Sequence, residues 1–345
     1  MPKETKADSF FDVAEKMLAQ LPQRAQEILK KRFGLMDSFS VQTLEKIGSD
    51  YSITRERVRQ IISDAKKTIS NKKYAEVDFQ KVEDRLFLAV EKKCGIIKEE
   101  DVLAEFNLSG LEKEKSAMRF LVDFSQRIKV VSEKNIVEKT WATSEDVLAK
   151  VLKIANTAQE LLEKKKQLLS DDEISKELMT CLPEFSKKEL LSYLSVLSGI
   201  KKNKFGKWGM RQWPEVTPKG SREKIYLILK EEKKPLHFTA IAKLIEKYKL
   251  GTKKVHPQTI HNELIKDPRF VLIGRGIYAL GEWGYSGGAV KDVLEGILAK
   301  SEKPLDREEI IEKVLEVRKV KRTTIMINLN GKNFEKEGTG YRLKK

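Results

Sequence analysis

The chain is poor in the residues that most enzymes and secreted scaffolds depend on. Only two cysteines occur in 345 residues, Cys94 and Cys181. They stand too far apart for metal-ligand spacing and fit reduced, buried thiols better than a disulfide framework. No run of about 18 apolar residues is present, which excludes a membrane-spanning helix. The opening "MPKETKADSF" lacks the apolar centre of a signal peptide, so a cytoplasmic, nucleoid-associated location is expected. There are three histidines, His237, His256 and His261. The last two are five positions apart, which suits no shared helical metal site. No Ser/His/Asp or Cys/His arrangement is readable. "GRG" at Gly274 and "GTG" at Gly338 fall in hairpin turns, not between a strand and a helix, so they are turn glycines with little claim to cradle a phosphate. The carboxylates of "DVLAEF" and "EEIIEK" lie on solvated faces. The expectation is a protein that is not an enzyme and has no cofactor and no metal. Acid is scarce relative to base: 52 Asp and Glu face 68 Lys and Arg, for a net charge of +16. Such a balance suits a polyanion, because each phosphate contact releases counterions. A chain of this length divides into several small domains.

What is present begins with "SITRERVRQIISDAKKTIS", Ser52 to Ser70. Val58, Ile61, Ile62, Ala65 and Ile69 recur at three- and four-residue spacings, the apolar stripe of a helix. Thr54 stands at the N-cap, and Ile53 and Val58 hold the positions of a hydrophobic staple. At 100° per residue, Glu56, Gln60, Ser63 and Lys67 lie opposite the stripe with Arg59 beside them. Amides, acids and cations on one face can read base edges and grip phosphates. Just upstream, "TLEKIGSDY" forms a shorter helix with Leu44, Ile47 and Tyr51 inward, and only a tight turn fits between the two. Helix, tight turn and capped basic helix make a helix-turn-helix.

"LPQRAQEILKKRFGL" (Leu21 to Leu35), "TLEKIG" and "TRERVRQI", in that order, resemble region four of bacterial primary sigma factors over residues 18–70. The resemblance implies recognition of the −35 promoter element and docking on the flap of the RNA polymerase β subunit. Carried over by position, base contacts fall on Arg55, Glu56, Arg59 and Gln60, and DNA-backbone contacts on Arg24 and Thr43. Three departures bear on the promoter preference. Ala25 replaces an acidic residue, the loop before Thr43 is one residue longer, and Asp64 replaces a base.

The remainder repeats. Trp141, Trp213 and Trp283 close similar stretches, 72 and 70 residues apart. "GKWGMRQW" and "GIYALGEW" share one pattern, and "NFEKEGTGYRLKK" aligns with "RFVLIGRGIYALG". Each closing stretch reads as a β-hairpin preceded by helical pattern, and self-similarity at a near-fixed period points to an array. The expected fold is mainly α with small β-wings, an N-terminal helix-turn-helix followed by tandem winged-helix modules. The expected boundaries are 1–73 for the helix-turn-helix, and 80–142, 144–215, 217–285 and 288–345 for the winged units. "LLEKKKQLLSDDEISKEL" (Leu161 to Leu178) reads as one long charged helix that extends the second unit or spaces two domains.

"SREKIYLILKEEKKPLHFTAIAKLI" and "DPRFVLIGRGIYALGEW" make residues 217–285 resemble the HARE-type winged helix. That module forms the N-terminal domain of the RNA polymerase delta subunit of Gram-positive bacteria. It also occurs in restriction enzymes and chromatin regulators, where a DNA-related role has been proposed. Winged helices use their third helix and wing on DNA. Here these offer Gln258, His261 and Asn262, with Arg275 at the wing tip and Lys134, Lys204 and Lys207 on other wings. The aromatic-rich helix with which a complete sigma factor melts DNA is not found. The leading expectation is therefore a DNA-binding transcription regulator that acts on double-stranded DNA with RNA polymerase and is not a complete sigma factor. The alternative is a polymerase-associated protein that binds the flap or competes with sigma, with DNA contact secondary. Binding to duplex DNA is expected to weaken steeply with salt, by a slope of about −0.9 per phosphate contacted. A titration that stays nearly flat would assign the basic charge to solubility or a protein partner.

Overall fold

Ile28, Ile47 and Val58 come from three successive helices and form one small buried cluster, with Leu44, Tyr51, Ile53, Ile61 and Ile62 packed against it. The computed structural model describes residues 9–36, 39–72, 77–132, 136–251, 254–285, 288–301, 303–318 and 320–344. The cluster belongs to the first of two units into which the chain divides, Met1–Lys201 with Trp208–Arg211; the second is Lys202–Lys207 with Gln212–Lys345. Four helices open the first unit: α1 (Phe10–Leu18), α2 (Gln23–Phe33), α3 (Leu44–Asp50) and α4 (Arg55–Lys72). Thr43 caps α3 by accepting the Lys46 N–H, and Thr54 caps α4 by accepting the Arg57 N–H at 3.1 Å. The turn between them needs Gly48: a Cβ there would stand 2.6 Å from the carbonyl oxygen of Ile53.

Four winged-helix units follow, each running helix, short strand or bridge, helix, helix, hairpin. The first is α5 (Val77–Lys92), β1 (Ile96–Lys98), α6 (Glu99–Glu105), α7 (Glu112–Asp123), β2 (Lys129–Val131) and β3 (Thr140–Ala142), with β3 central. The second is α8 (Glu145–Lys165), α9 (Asp171–Cys181), α10 (Lys187–Val196), β4 (Ile200–Lys202) and β5 (Trp208–Met210). The charged stretch expected as one helix breaks between α8 and α9. Lys166 turns left-handed, Leu169 bridges to Trp208, and Ser170 starts α9 with a reciprocal capping box to Glu173.

In the second unit of the chain, the third winged helix is α11 (Ser221–Glu232), β6 (Leu236–His237), α12 (Phe238–Lys247), α13 (Pro257–Lys266), β7 (Phe270–Gly274) and β8 (Ile277–Leu280). The fourth is α14 (Val290–Ala299), β9 (Leu305–Asp306), α15 (Arg307–Val317), α16 (Arg322–Leu329), β10 (Phe334–Glu337) and β11 (Gly340–Leu343).

Strand pairing corrects the register of the repeat. Trp141 lies opposite Ile97, Trp208 bridges Leu169, Tyr278 lies opposite Leu236, and Tyr341 opposite Leu305. The equivalent rings are thus Trp141, Trp208, Tyr278 and Tyr341. Trp213 and Trp283 are half-buried residues just beyond the last strand of their wings, so the alignment of Trp141 with Trp213 was out of register. The thiols also differ from expectation. Cys94 is half-buried, and Cys181 is exposed because it ends α9 on its outward side.

A continuous apolar cluster runs from Phe10 to Trp141 and crosses the boundary placed between residues 73 and 80. Its centre is α7. Phe120 is fully buried, edge-on to Phe33 of α2 at 5.3 Å and tilted against Phe124 at 4.6 Å. Ala65 and Ile69 of α4 join the same cluster. Glu114 of α7 accepts hydrogen bonds from the Ser9 hydroxyl and the Phe11 N–H, and Lys66 pairs with Asp123. The first two winged units are joined as well. The Glu138 N–H donates to Val196 O at 3.0 Å, the Ser198 N–H to Ile136 O at 2.9 Å, and the Glu138 carboxylate sits between Lys98 and Lys201. Burial raises that carboxyl's pKa, but the two lysines outweigh it and hold the group below its ordinary value.

Phe120→Ala is expected to cost about 3–5 kcal/mol, as for a large buried ring. Hydrogen exchange should then show α1–α4 and residues 77–142 losing protection together. Protection retained in α1–α4 while residues 77–142 open would show that the shared cluster does not couple them.

Candidate nucleic-acid interface

The outward face of α4 carries Arg55, Glu56, Arg59, Gln60 and Lys67, all exposed. The opposite face is fixed by Val58, Ala65 and Ile69, so packing orients the polar face toward solvent. The polar groups are organised in pairs along the helix. Arg59 Nε donates to both Glu56 oxygens at 3.0 and 2.9 Å, and its Nη2 to Oε1 at 2.6 Å. This bond holds the Glu56 carboxyl below the usual range and the Arg59 guanidinium above its own. Arg57 Nη1 donates to Gln60 Oε1 at 3.1 Å, which leaves the Gln60 amide hydrogens free to donate. Arg59 can turn to a guanine edge, and Glu56 accept from cytosine, only once their mutual bond opens. The pair is fully solvated, so opening it costs little.

The two expected backbone-contacting residues sit beside this helix. Arg24 is exposed on α2, its guanidinium 5.8 Å from the centre of the Tyr51 ring. Lys31 lies 4.9 Å from the same ring and pairs with Asp50. The Tyr51 hydroxyl donates to Glu27 at 2.8 Å, and its pKa is pushed up to about 12 by burial first and by that carboxylate second. Tyr51 at the end of α3 is thus a platform that ties the turn to α2. Thr43 is exposed, and its oxygen accepts the Lys46 N–H at 3.2 Å. The hydroxyl proton remains available to an anion.

The third helices of the winged units fall into two groups. In α7, Ser116, Ala117, Met118, Phe120, Leu121 and Val122 are all buried, which leaves no outward reading face along that stretch. In α10, the Ser192 hydroxyl donates to Lys93 O, the Tyr193 hydroxyl to Cys94 O at 3.2 Å, and the helix packs on β1. Both are structural helices. In contrast, α13 buries only Ile260 and Leu264, and α16 only Ile325 and Leu329.

On α13, Gln258 donates to Asn262 at 3.3 Å and both are exposed. His261 is not free to read DNA: its ring stacks on Phe238 at 4.6 Å and stands edge-on to Tyr278. His237 caps α12 by accepting the Thr239 N–H. Arg275 is exposed at the turn between β7 and β8. Among the other wing cations, Lys204 is exposed, Lys207 is paired with Glu231 at 2.8 Å, and Lys134 lies outside the described residues. No group of three His, Cys, Asp or Glu side chains able to hold a metal occurs among the described residues. No helix among them is long and apolar enough to cross a membrane.

The sequestered α7 was not read from the sequence, although it left a signal. "SAMRFLVD" is apolar on more than one helical face, the mark of a helix buried on several sides.

These elements coincide with two known families. Residues 17–70 match the family model of sigma-70 region 4, and residues 222–283 match that of the HARE-HTH family, the restriction endonuclease HTH domain. The RNA polymerase sigma factor RpoD of Helicobacter pylori strain ATCC 700392 / 26695 is 44% identical over 63 residues, 18% of this chain and 9% of that protein. The RpoD of strain J99 / ATCC 700824 matches to the same extent. The chain thus spans about a tenth of the length of these relatives. It carries a sigma region 4-like helix-turn-helix followed by winged-helix units, of which the third is HARE-like.

If the Glu56–Arg59 pair persists in solution, an NMR pH titration of Glu56 will give a value below that of an ordinary glutamate. Arg59→Ala will return it toward the ordinary range. An unchanged value in the variant would show that the pair is not populated.

Proposed function

We propose that this protein is an accessory transcription regulator that binds duplex DNA and acts with RNA polymerase. Helix α4 enters the major groove of a −35-type promoter element. Arg55, Glu56, Arg59 and Gln60 address base edges, while Arg24, Thr43 and Lys67 address phosphates. The observation that carries the reading is a capped helix, fixed on its apolar side by a helix-turn-helix, that presents an exposed amide, acid and guanidinium face. The matched part of the relatives is their region 4 alone, and winged units follow it here. The role is therefore that of a regulator working beside a sigma factor, not a factor that starts transcription by itself. Arg275 on the HARE-like wing supplies a further phosphate contact.

A second reading rests on the burial of α7 and α10. Two winged units without an open third helix can serve as a body that faces RNA polymerase, with the β flap as the partner implied by the region 4 likeness. Capture of RNA polymerase with and without nuclease separates the readings. Loss of the polymerase on nuclease treatment supports promoter DNA as the bridge, and retention supports direct docking.

For the first reading, Arg59→Ala or Gln60→Ala is expected to cost about 1–3 kcal/mol at the preferred site and to relax its sequence there. Lys67→Ala should weaken all sequences about equally. If binding selection returns the same preferred sequence for wild type and the Arg59→Ala/Gln60→Ala double variant, α4 is not the reading helix.

A further inference from the structure

Helix α16 belongs to the fourth winged unit, residues 288–345, which lies outside both matched segments. Its inner face is the buried pair Ile325 and Leu329, equivalent to Ile260 and Leu264 of α13. The position two residues after the first member of each pair faces outward. In α13 it is Asn262. In α16 it is Ile327, a branched apolar side chain left 73% exposed.

The surroundings of Ile327 indicate what it meets. Thr323, one turn earlier on the same face, is exposed. Asn328 turns its amide back to the Thr324 carbonyl at 2.8 Å. Lys321 and Arg322 open the helix, both exposed, with Arg322 paired to Glu308 at 3.1 Å. Arg307 is exposed and donates to the sulfur of Met326 at 3.2 Å. Lys332 and Lys336 are exposed beside and along β10, where the acids Glu335 and Glu337 are engaged by Arg342. Among the described residues, no second large apolar side chain is exposed on α16, β10 or β11. A protein-docking face gathers several apolar or aromatic anchors. One isoleucine ringed by hydroxyls and cations matches a major-groove face in which an apolar side chain covers a thymine methyl group and cations take the phosphates.

We infer that α16 is a second duplex-reading helix, which sets Ile327 against thymine 5-methyl groups while Lys321, Arg307 and Lys332 hold the flanking phosphates. This rests on the reading that the chain works on duplex DNA, but not on α4 being its recognition helix. The two open third helices then offer different chemistries at one position, an amide suited to adenine in α13 and an apolar branch suited to thymine in α16.

The test uses the full chain. Binding selection from random duplexes defines the preferred sites, and anisotropy titrations compare each selected duplex with a copy carrying deoxyuridine for thymine. That replacement removes only the 5-methyl group. Wild type is expected to lose about fourfold in affinity per contacted methyl, the worth of one buried carbon group. Ile327→Ala should show the same loss on the thymine duplex, indifference to the replacement, and an unchanged melting temperature. Lys321→Ala should reduce the salt slope by about one. The Arg59→Ala/Gln60→Ala variant should keep the deoxyuridine response, so that failure of α4 and failure of α16 are told apart. The inference is overturned if Ile327→Ala selects the same thymines and responds to deoxyuridine as wild type does. It is equally overturned if Ile327→Glu abolishes capture of RNA polymerase while DNA binding is untouched, which would make this face a protein contact.

Discussion

The first unit is organised around one helix packed where no recognition helix belongs. Phe120 of α7, fully buried against Phe33 and Phe124, is the centre of an apolar cluster that includes α1, α2, the distal half of α4 and the first winged sheet. A helix-turn-helix of this size has little core of its own; Ile28, Ile47 and Val58 are its private share. Fusion to the winged unit supplies the missing apolar area. It also decides which surfaces remain for partners, since α7 is used up and the outer face of α4 is left clear.

The same economy continues along the chain. Helix α10 joins its unit to β1 of the preceding one through the Tyr193 hydroxyl and through the backbone bonds around Glu138. Only α13 and α16, with a single buried pair each, keep a free outer face. A winged helix is therefore not by itself a DNA-binding statement in this molecule. The exposed polar face must be shown unit by unit, and two of the four units have spent theirs on structure.

Much of this order was legible in the sequence. The 3.6-residue stripe from Val58 to Ile69, the Thr43 and Thr54 caps and the tight turn at Gly48 depend on neighbours a few residues away, and local pattern carries them. The repeated helix–hairpin order and the exposure of Arg55, Glu56, Arg59, Gln60 and Lys67 were readable for the same reason. Long-range packing was not. Nothing local separates α7 from α16 as third helices except the breadth of the apolar face, and Trp213 resembled Trp141 until strand pairing placed Trp208 in its position. His261 read as a donor on a free helix because its stacking on Phe238 joins residues from two different helices. The Glu56–Arg59 and Arg57–Gln60 pairs were implicit in their i,i+3 spacing, but geometry alone shows that they form.

The division of labour among these helices can be measured directly by differential lysine acetylation, read by mass spectrometry on the full chain free and saturated with a selected duplex. Lys67 on α4, Lys321 at the start of α16 and Lys188 on α10 are all exposed in the free protein and so all reactive at the outset. The account predicts that DNA protects Lys67 and Lys321 and leaves Lys188 as reactive as before. Protection of Lys188 with Lys67 unchanged would contradict it, because the structural helix would then be the one that meets DNA.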